Sequence, residues 1–240
     1  TTSDFPLTVA NAANKVAADG YAAAESGLKP LFRQRSLSDF KTSTSVRLGG
    51  MGMLAEMTES GEFTAISRGE EGETLQLRTF GRRLDLSRRL IINDDQNLFG
   101  DTTRALGEAA AQTEAALMAD LLTGDDTLSD GLPLFDDARG NVISVADAVD
   151  AGGFLSAQPL LWALSQARLV MRQLKNLDGI TPIAATPKYI VAGPELETEI
   201  EQLLSEVYAP SQGDVNPFVG KLALLVDPRI EGRDWYLFAL

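Results

Sequence analysis

Asp101-Thr102-Thr103-Arg104-Ala105-Leu106-Gly107-Glu108-Ala109-Ala110-Ala111-Gln112-Thr113-Glu114-Ala115-Ala116-Leu117-Met118-Ala119-Asp120-Leu121-Leu122-Thr123-Gly124 is the most regular stretch of the chain. Leu106, Ala110, Thr113, Leu117 and Leu121 recur at steps of 4, 3, 4 and 4. That spacing lays them along one side of an α-helix. Arg104, Glu108, Gln112 and Asp120 lie away from the stripe. The acid in the first turn suits the positive end of a helix, and Thr123-Gly124 ends it. The pattern predicts a long amphipathic helix over about 101–122, with the leucine stripe turned inward.

Downstream, residues 124–156 are loop-rich and acidic. Ser156 is a candidate cap for a second helix, with Pro159 in its first turn. Leu160, Leu164, Ala167, Met171 and Leu174 form its apolar stripe. Ile183 to Ala192 reads as one or two buried strands around Pro187. A third helix opens at Gly193-Pro194 and runs to about Val207, with Leu196, Ile200, Leu203 and Val207 inward and Glu195, Glu197 and Glu199 near its positive end. Residues 208–220 read as a loop, followed by strands at Leu222–Val226 and Trp235–Leu240.

Upstream, residues 74–92 alternate. Leu75, Leu77 and Thr79, then Leu84, Leu86, Arg88 and Leu90 after Gly81, predict two strands with one buried face. Residues 47–73 are polar and glycine-rich, and Ser60-Gly61 suits a hairpin tip. Such a hairpin cannot hold itself together in water and needs a partner surface. Val9 to Ala24 is alanine-rich and suits a helix. The first 46 residues, with Phe32 and Phe40, read as an arm with little core of its own. The order of elements argues for an α+β fold with an intervening second domain.

Composition narrows the chemistry. The 240 residues are 44% hydrophobic, enough for a sizeable core. There is no cysteine and no histidine. This removes disulfides, Cys-His and Ser-His-Asp catalysis and most transition-metal sites, and fits maturation in a reducing cytosol. The formal net charge is -13. Residues 1–50 carry 6 basic and 4 acidic side chains, and residues 101–150 carry 2 and 11. So strongly acidic a chain is poorly suited to wrap nucleic acid. No apolar run is long enough to span a membrane. The opening Thr1-Thr2-Ser3, with no initiator Met, suggests trimming or an imposed boundary.

Each candidate site has a plainer reading. Leu48-Gly49-Gly50-Met51-Gly52 lacks the Lys-Ser/Thr of a phosphate loop, so flexible hairpin glycines fit better. Asp125, Asp126, Asp130, Asp136 and Asp137 lack the alternate spacing and closing Glu of a calcium loop. The 6 lysines give no local Ser-Lys motif, and Glu195 to Glu201 read as solvated helix charges. Gly81-Arg82-Arg83-Leu84-Asp85-Leu86-Ser87-Arg88-Arg89 is the densest basic stretch, and ion pairs with an acidic neighbouring subunit suit it better than phosphate. No catalytic, metal or cofactor site is expected.

The same basic stretch, followed by Ile92-Asn93-Asp94-Asp95, resembles Mu-like major head proteins and the capsid half of prohead protease–major capsid fusions. Ala109-Ala110-Ala111-Gln112-Thr113-Glu114, Leu128-Ser129-Asp130-Gly131, Arg139-Gly140-Asn141 and Leu177-Asp178-Gly179 continue the likeness. So do Pro187-Lys188-Tyr189, Tyr208-Ala209-Pro210, Val215-Asn216-Pro217-Phe218 and Trp235-Tyr236-Leu237-Phe238. The likeness covers most of the chain beyond about Gly20. Similar sequences often carry His near Phe135–Gly140, where this chain has Asp and Arg.

The resemblance implies a Hong Kong 97-type capsid fold. Its parts would be an N-terminal arm (1–46), an extended hairpin loop (47–73), a peripheral domain (74–123 and 218–240) with a spine helix, and an axial domain (124–217). It implies a major capsid protein that forms hexamers and pentamers of an icosahedral shell around double-stranded DNA, assembled in the bacterial host cytoplasm. Its partners would be itself, a prohead protease, a portal, decoration proteins and, weakly, DNA. The expected inter-subunit residues are Glu56, Glu59, Glu62 and Phe63 in the loop and Arg82, Arg83, Arg88 and Arg89 in the basic strand. Some shells of this fold carry Lys–Asn isopeptide links. With no lysine between Lys41 and Lys175, a noncovalent shell is expected. An encapsulin-like compartment shell and a carboxylate hydrolase are the alternatives.

Overall fold

In the computed structural model, the described residues are 6–48, 70–82, 98–147, 159–205 and 220–239. In chain order they form α1 (Pro6–Ala23), β1 (Ser43–Leu48), β2 (Glu70–Leu75), α2 (Leu98–Thr123), α3 (Pro159–Gln173), β3 (Tyr189–Ala192), α4 (Pro194–Leu204), β4 (Ala223–Val226) and β5 (Trp235–Phe238). The α+β expectation thus agrees with a mixed body of helices and two small sheets.

The body is organised on the sheet β4-β3-β5. β3 pairs parallel with β4 and antiparallel with β5. Ile190 lies opposite Leu237 and Ala192 opposite Trp235, while Val191 lies opposite Tyr236 and Tyr189 opposite Phe238. Because side chains alternate across a strand, each set shares one face. Ile190 and Ala192 pack with Leu164 of α3 and Leu196 and Ile200 of α4, joined by Leu224, Trp235 and Leu237. On the other face Val191 packs with Met118, Ala119 and Leu122 of α2, with Leu28 and with Ile230. Phe135 adds a ring 4.9 Å from Tyr236 and 6.5 Å from Phe238. A sheet covered on both faces explains why Tyr189–Ala192 and Trp235–Phe238 are unbroken apolar runs. β3 comes from the stretch expected to be axial, and its two partners come from the stretch expected to be peripheral. One sheet therefore joins the two.

Leu28 is fully buried in this core, so the N-terminal segment packs on the body rather than around a core of its own. Asp227, also buried, anchors the chain beside Leu28. Its carboxylate accepts from Arg229 N (2.9 Å), from Arg229 Nη1 (3.3 and 3.5 Å) and from Ser26 Oγ (3.4 Å), and Ser26 Oγ accepts from Leu28 N at 3.1 Å. A buried charge is tolerated only with such partners.

The long helix forms over Leu98–Thr123, slightly longer than its predicted span, but it is turned the other way. Leu106, Ala110, Thr113, Leu117 and Leu121, the expected inward stripe, are all exposed, Leu121 to 56%. Thr103, Gly107, Ala111, Ala115, Met118, Ala119 and Leu122 are buried instead. The reason is α1, which runs antiparallel along α2 at very short range. A Cβ at Gly107 would lie 2.8 Å from Ala17 C and 2.9 Å from Tyr21 N, and one at Gly20 would lie 3.1 Å from Arg104 C. Only small residues allow backbones so close, so α2 turns its Gly/Ala side inward, with Met118 and Leu122 near its end against the sheet, and leaves Leu106, Leu117 and Leu121 outside. Tyr21 Oη donates to Glu114 across this seam. That bond holds the phenol proton and raises the Tyr21 pKa.

Other elements are shorter than expected. α3 is described from Pro159, the residue expected in its first turn, and Ala163 and Leu164 are buried, but Leu174 lies beyond its end and is exposed. Within 183–192 only Tyr189–Ala192 is strand, and Ile183 is exposed. The strand expected through Leu75, Leu77 and Thr79 is corrected: the strand is Glu70–Leu75, and residues 76–82 carry none. Its second half, at 84–90, lies outside the described residues, as do Ser156, Val207 and loop 208–219.

Candidate assembly surfaces

The ribbon β1–β2 is built from largely polar sequence, and its apolar Val46 and Leu75 are exposed. Ser43-Thr44-Ser45-Val46-Arg47-Leu48 pairs antiparallel with Glu70-Glu71-Gly72-Glu73-Thr74-Leu75, from Ser43 opposite Leu75 to Leu48 opposite Glu70. Residues 49–69 lie between the two strands. Polar bonds tie its base to the body. Glu73 accepts from Ser129 N (3.2 Å) and Ser129 Oγ (2.7 Å), Arg35 Nη1 donates to Ser45 Oγ at 2.9 Å, and Gln76 Nε2 donates to Phe40 O at 3.3 Å. Around it Phe40, Val46, Leu75 and Phe80 are exposed. A two-stranded ribbon with few ties and exposed apolar side chains is marginal alone.

Of the expected inter-subunit residues, Arg82 is exposed and forms none of the ion pairs among the described residues. Glu56, Glu59, Glu62, Phe63, Arg83, Arg88 and Arg89 lie outside the described residues, as does the tip at Ser60-Gly61.

The acidic loop after α2 does not converge on a point. Asp130 pairs with Arg139 Nη2 at 2.5 Å, and the Arg139 guanidinium also donates to Pro133 O (2.7 Å) and Leu132 O (3.2 Å). Asp136 caps the turn at Asp137–Arg139 through Ala138 N, 2.8 Å away. These carboxylates hold turns together, and no group of three or more His, Asp or Glu among the described residues is placed to hold a metal ion. On α4, Glu199 takes Arg233 Nη2 at 2.7 Å, which holds its carboxyl below the usual range.

Two further surfaces escaped the sequence reading. One is the outer face of α2. The other is the turn 174–183 after α3, where Ile180 is 71% exposed. Small residues at every fourth position, Gly107, Ala111, Ala115 and Ala119, were the available sign of which side of α2 packs. For the turn, the sign was Asp178-Gly179 beside an isolated isoleucine.

What these parts make is an α+β body with a two-stranded ribbon beside its three-stranded sheet and apolar side chains left exposed. The chain belongs to the phage capsid protein family, whose pattern it matches over residues 70–240. This is a family of structural proteins that self-associate into the shell of a virion. The fold agrees: a protein of Microbacterium phage Oxtober96 is similar in structure, with a TM-score of 0.50 at 14% identity, covering 86% of this chain and 67% of that one. No curated protein matches the sequence. Among the described residues no helix is long and apolar enough to cross a membrane.

Proposed function

We propose that this chain is the major capsid protein of a tailed phage or prophage, of the Hong Kong 97 type and similar to Mu-like head proteins. It would assemble into the hexamers and pentamers of an icosahedral shell around double-stranded DNA. The observation that carries this reading is the family match over 70–240, joined to a two-stranded ribbon whose Val46 and Leu75 are left exposed. In the proposal residues 47–73 are the extended loop, lying on a neighbouring subunit, and the ribbon β1–β2 forms its base. Glu56, Glu59, Glu62 and Phe63 on the loop meet that neighbour, as do Arg82, Arg83, Arg88 and Arg89 beyond it.

Residues 1–46 act as the arm and α2 as the spine of a peripheral domain. The axial domain is 124–217, and the sheet β4-β3-β5 is where the two meet. The interfaces are individually modest and add through multivalency. Head-to-tail contacts close into rings. The charge of -13 keeps the inner wall from gripping packaged DNA. A portal, a prohead protease and decoration proteins would be the other partners, and the site of assembly the host cytoplasm.

The test is negative-stain microscopy of the concentrated chain, with mass by light scattering. Closed shells, or rings of five or six, are expected. A compact monomer under all conditions would overturn the proposal, and copurifying cargo protein in place of DNA would redirect it to an encapsulin-like shell. Deleting residues 50–66 should leave a folded chain that does not assemble. Mature particles should run as monomers on a denaturing gel, because no lysine lies between Lys41 and Lys175.

A further inference from the structure

The turn after α3 is fixed from within. Ile183 N donates to Leu174 O at 2.7 Å, Asn176 N to Thr181 O at 2.8 Å and Gly179 N to Asn176 O at 2.8 Å. The Asp178 carboxylate closes it, accepting from Ile180 N (2.9 Å), Thr181 N (2.8 Å) and Thr181 Oγ1 (2.5 Å). Gly179, at φ 67°, supplies the left-handed step. On the outside of this rigid turn stand Ile180, Leu174 and Ile183, with Leu169 on the last turns of α3, all exposed. Arg172 and Lys175 rim them. Both are exposed, and neither forms an ion pair among the described residues. Arg172 reaches only Ala184 O, at 3.5 Å.

A preformed apolar tip loses little entropy on docking. Its basic rim selects an acidic acceptor, and this chain carries one. The outer face of α2 presents Leu106, Leu117 and Leu121, exposed, beside the exposed Asp120 and followed by the exposed Asp125 and Asp126. The two patches match in kind, apolar to apolar and cation to acid. Both stand open in the single chain, so neither covers the other.

We infer that the turn 174–183 of one copy docks on the outer face of α2 of the next copy. The contact is heterologous, with different patches on each side, so it repeats from copy to copy. It rests on the capsid reading only in requiring self-association, and it names which surfaces meet.

The test is a charge swap in the full chain. Arg172→Glu with Lys175→Glu reverses the turn, and Asp120→Lys with Asp125→Lys reverses the acceptor. Each reversal alone should raise the concentration for half-assembly by about tenfold or more, because every subunit repeats the lost contact. Both reversals in one chain should restore it to within about threefold of wild type. Ile180→Asp, at a solvent-facing position, should weaken assembly with circular dichroism and thermal unfolding unchanged. The inference is overturned if either reversal alone assembles like wild type, or if the doubly reversed chain is no better than the singles. A wild-type chain that never assembles would overturn this contact and the capsid reading together; assembly of wild type and every variant alike would overturn this contact alone.

Discussion

Replacing Gly107 by Ala adds one methyl group at the closest approach of α1 and α2. The new carbon meets the carbonyl oxygen of Ala17 and comes within 2.9 Å of Tyr21 N. Both obstacles are backbone, so no rotamer change relieves them and α1 itself must shift. Overpacking of this kind costs about 1–3 kcal/mol, and a clash with backbone belongs in the upper part of that range. Against it, Ala is the better helix former by about 1 kcal/mol. The net expectation is a loss of about 1–2 kcal/mol, which for a chain of this size lowers Tm by about 2–8 °C. The assay is thermal and urea unfolding followed by circular dichroism, at concentrations too low for assembly. Ala110→Gly on the open side of the same helix is the reference, since it loses propensity alone. A Gly107→Ala chain as stable as wild type, or more so, would show that α1 is not seated on the Gly/Ala side of α2.

Ile190→Ala removes a fully buried side chain between the sheet and α3–α4; a loss of about 2–5 kcal/mol is expected from denaturant unfolding. Leu121→Ala, on the exposed face of α2, should stay within about 0.5 kcal/mol, and equal effects of the two would contradict the burial described here. Glu73→Ala cuts the tie to Ser129, and amide exchange in β1 and β2 should quicken by about threefold or more while the core sheet is unchanged; uniform quickening would mean the ribbon and body open together. The Asp178 carboxyl is held below its ordinary value of 3.8, first by the Thr181 hydroxyl and then by the Thr181 and Ile180 amides. A depressed carboxylate stabilises the fold fully above the unfolded value and loses that contribution as pH falls through the folded one. The turn 174–183 should therefore stay intact at pH 5 and loosen only below about 3.8. An NMR titration placing Asp178 at or above its ordinary value would remove this account of the turn's rigidity.

Elements with a buried face on each side were legible from residue type. Tyr189–Ala192 and Trp235–Phe238 are β-branched and aromatic runs too short for helices, and the Pro159 and Gly193-Pro194 helix starts carry their own chemistry. The span of α2 was legible, but its orientation was not. Hydrophobic periodicity places the largest apolar side chains inside, whereas a close helix pair is won by the smallest. Leu106, Leu117 and Leu121 are then left on the exposed side. β2 was invisible for the opposite reason: Glu70-Glu71-Gly72-Glu73 has no apolar alternation, and Glu73, Thr74 and Leu75 are exposed. Of the expected inter-subunit residues only Arg82 falls among those described, and the turn at 174–183 was missed because one isoleucine between polar neighbours has no period.

The central position of β3 governs the order in which the molecule can be made. α1 and α2 are complete once residue 123 has been synthesised, but β3 ends at Ala192 and its second partner ends at Phe238. Synthesis of those 46 residues takes about 2–9 s at about 5–20 residues per second. Until β4 follows at Ala223–Val226, Ile190-Val191-Ala192 has no strand on either edge, and the edge that β5 takes stays open to the end of that interval, the kind of segment that chaperones hold and that neighbouring chains on a polysome can capture. The core that seats α2 on one face of the sheet and α3 and α4 on the other is therefore completed only after β5 has been made.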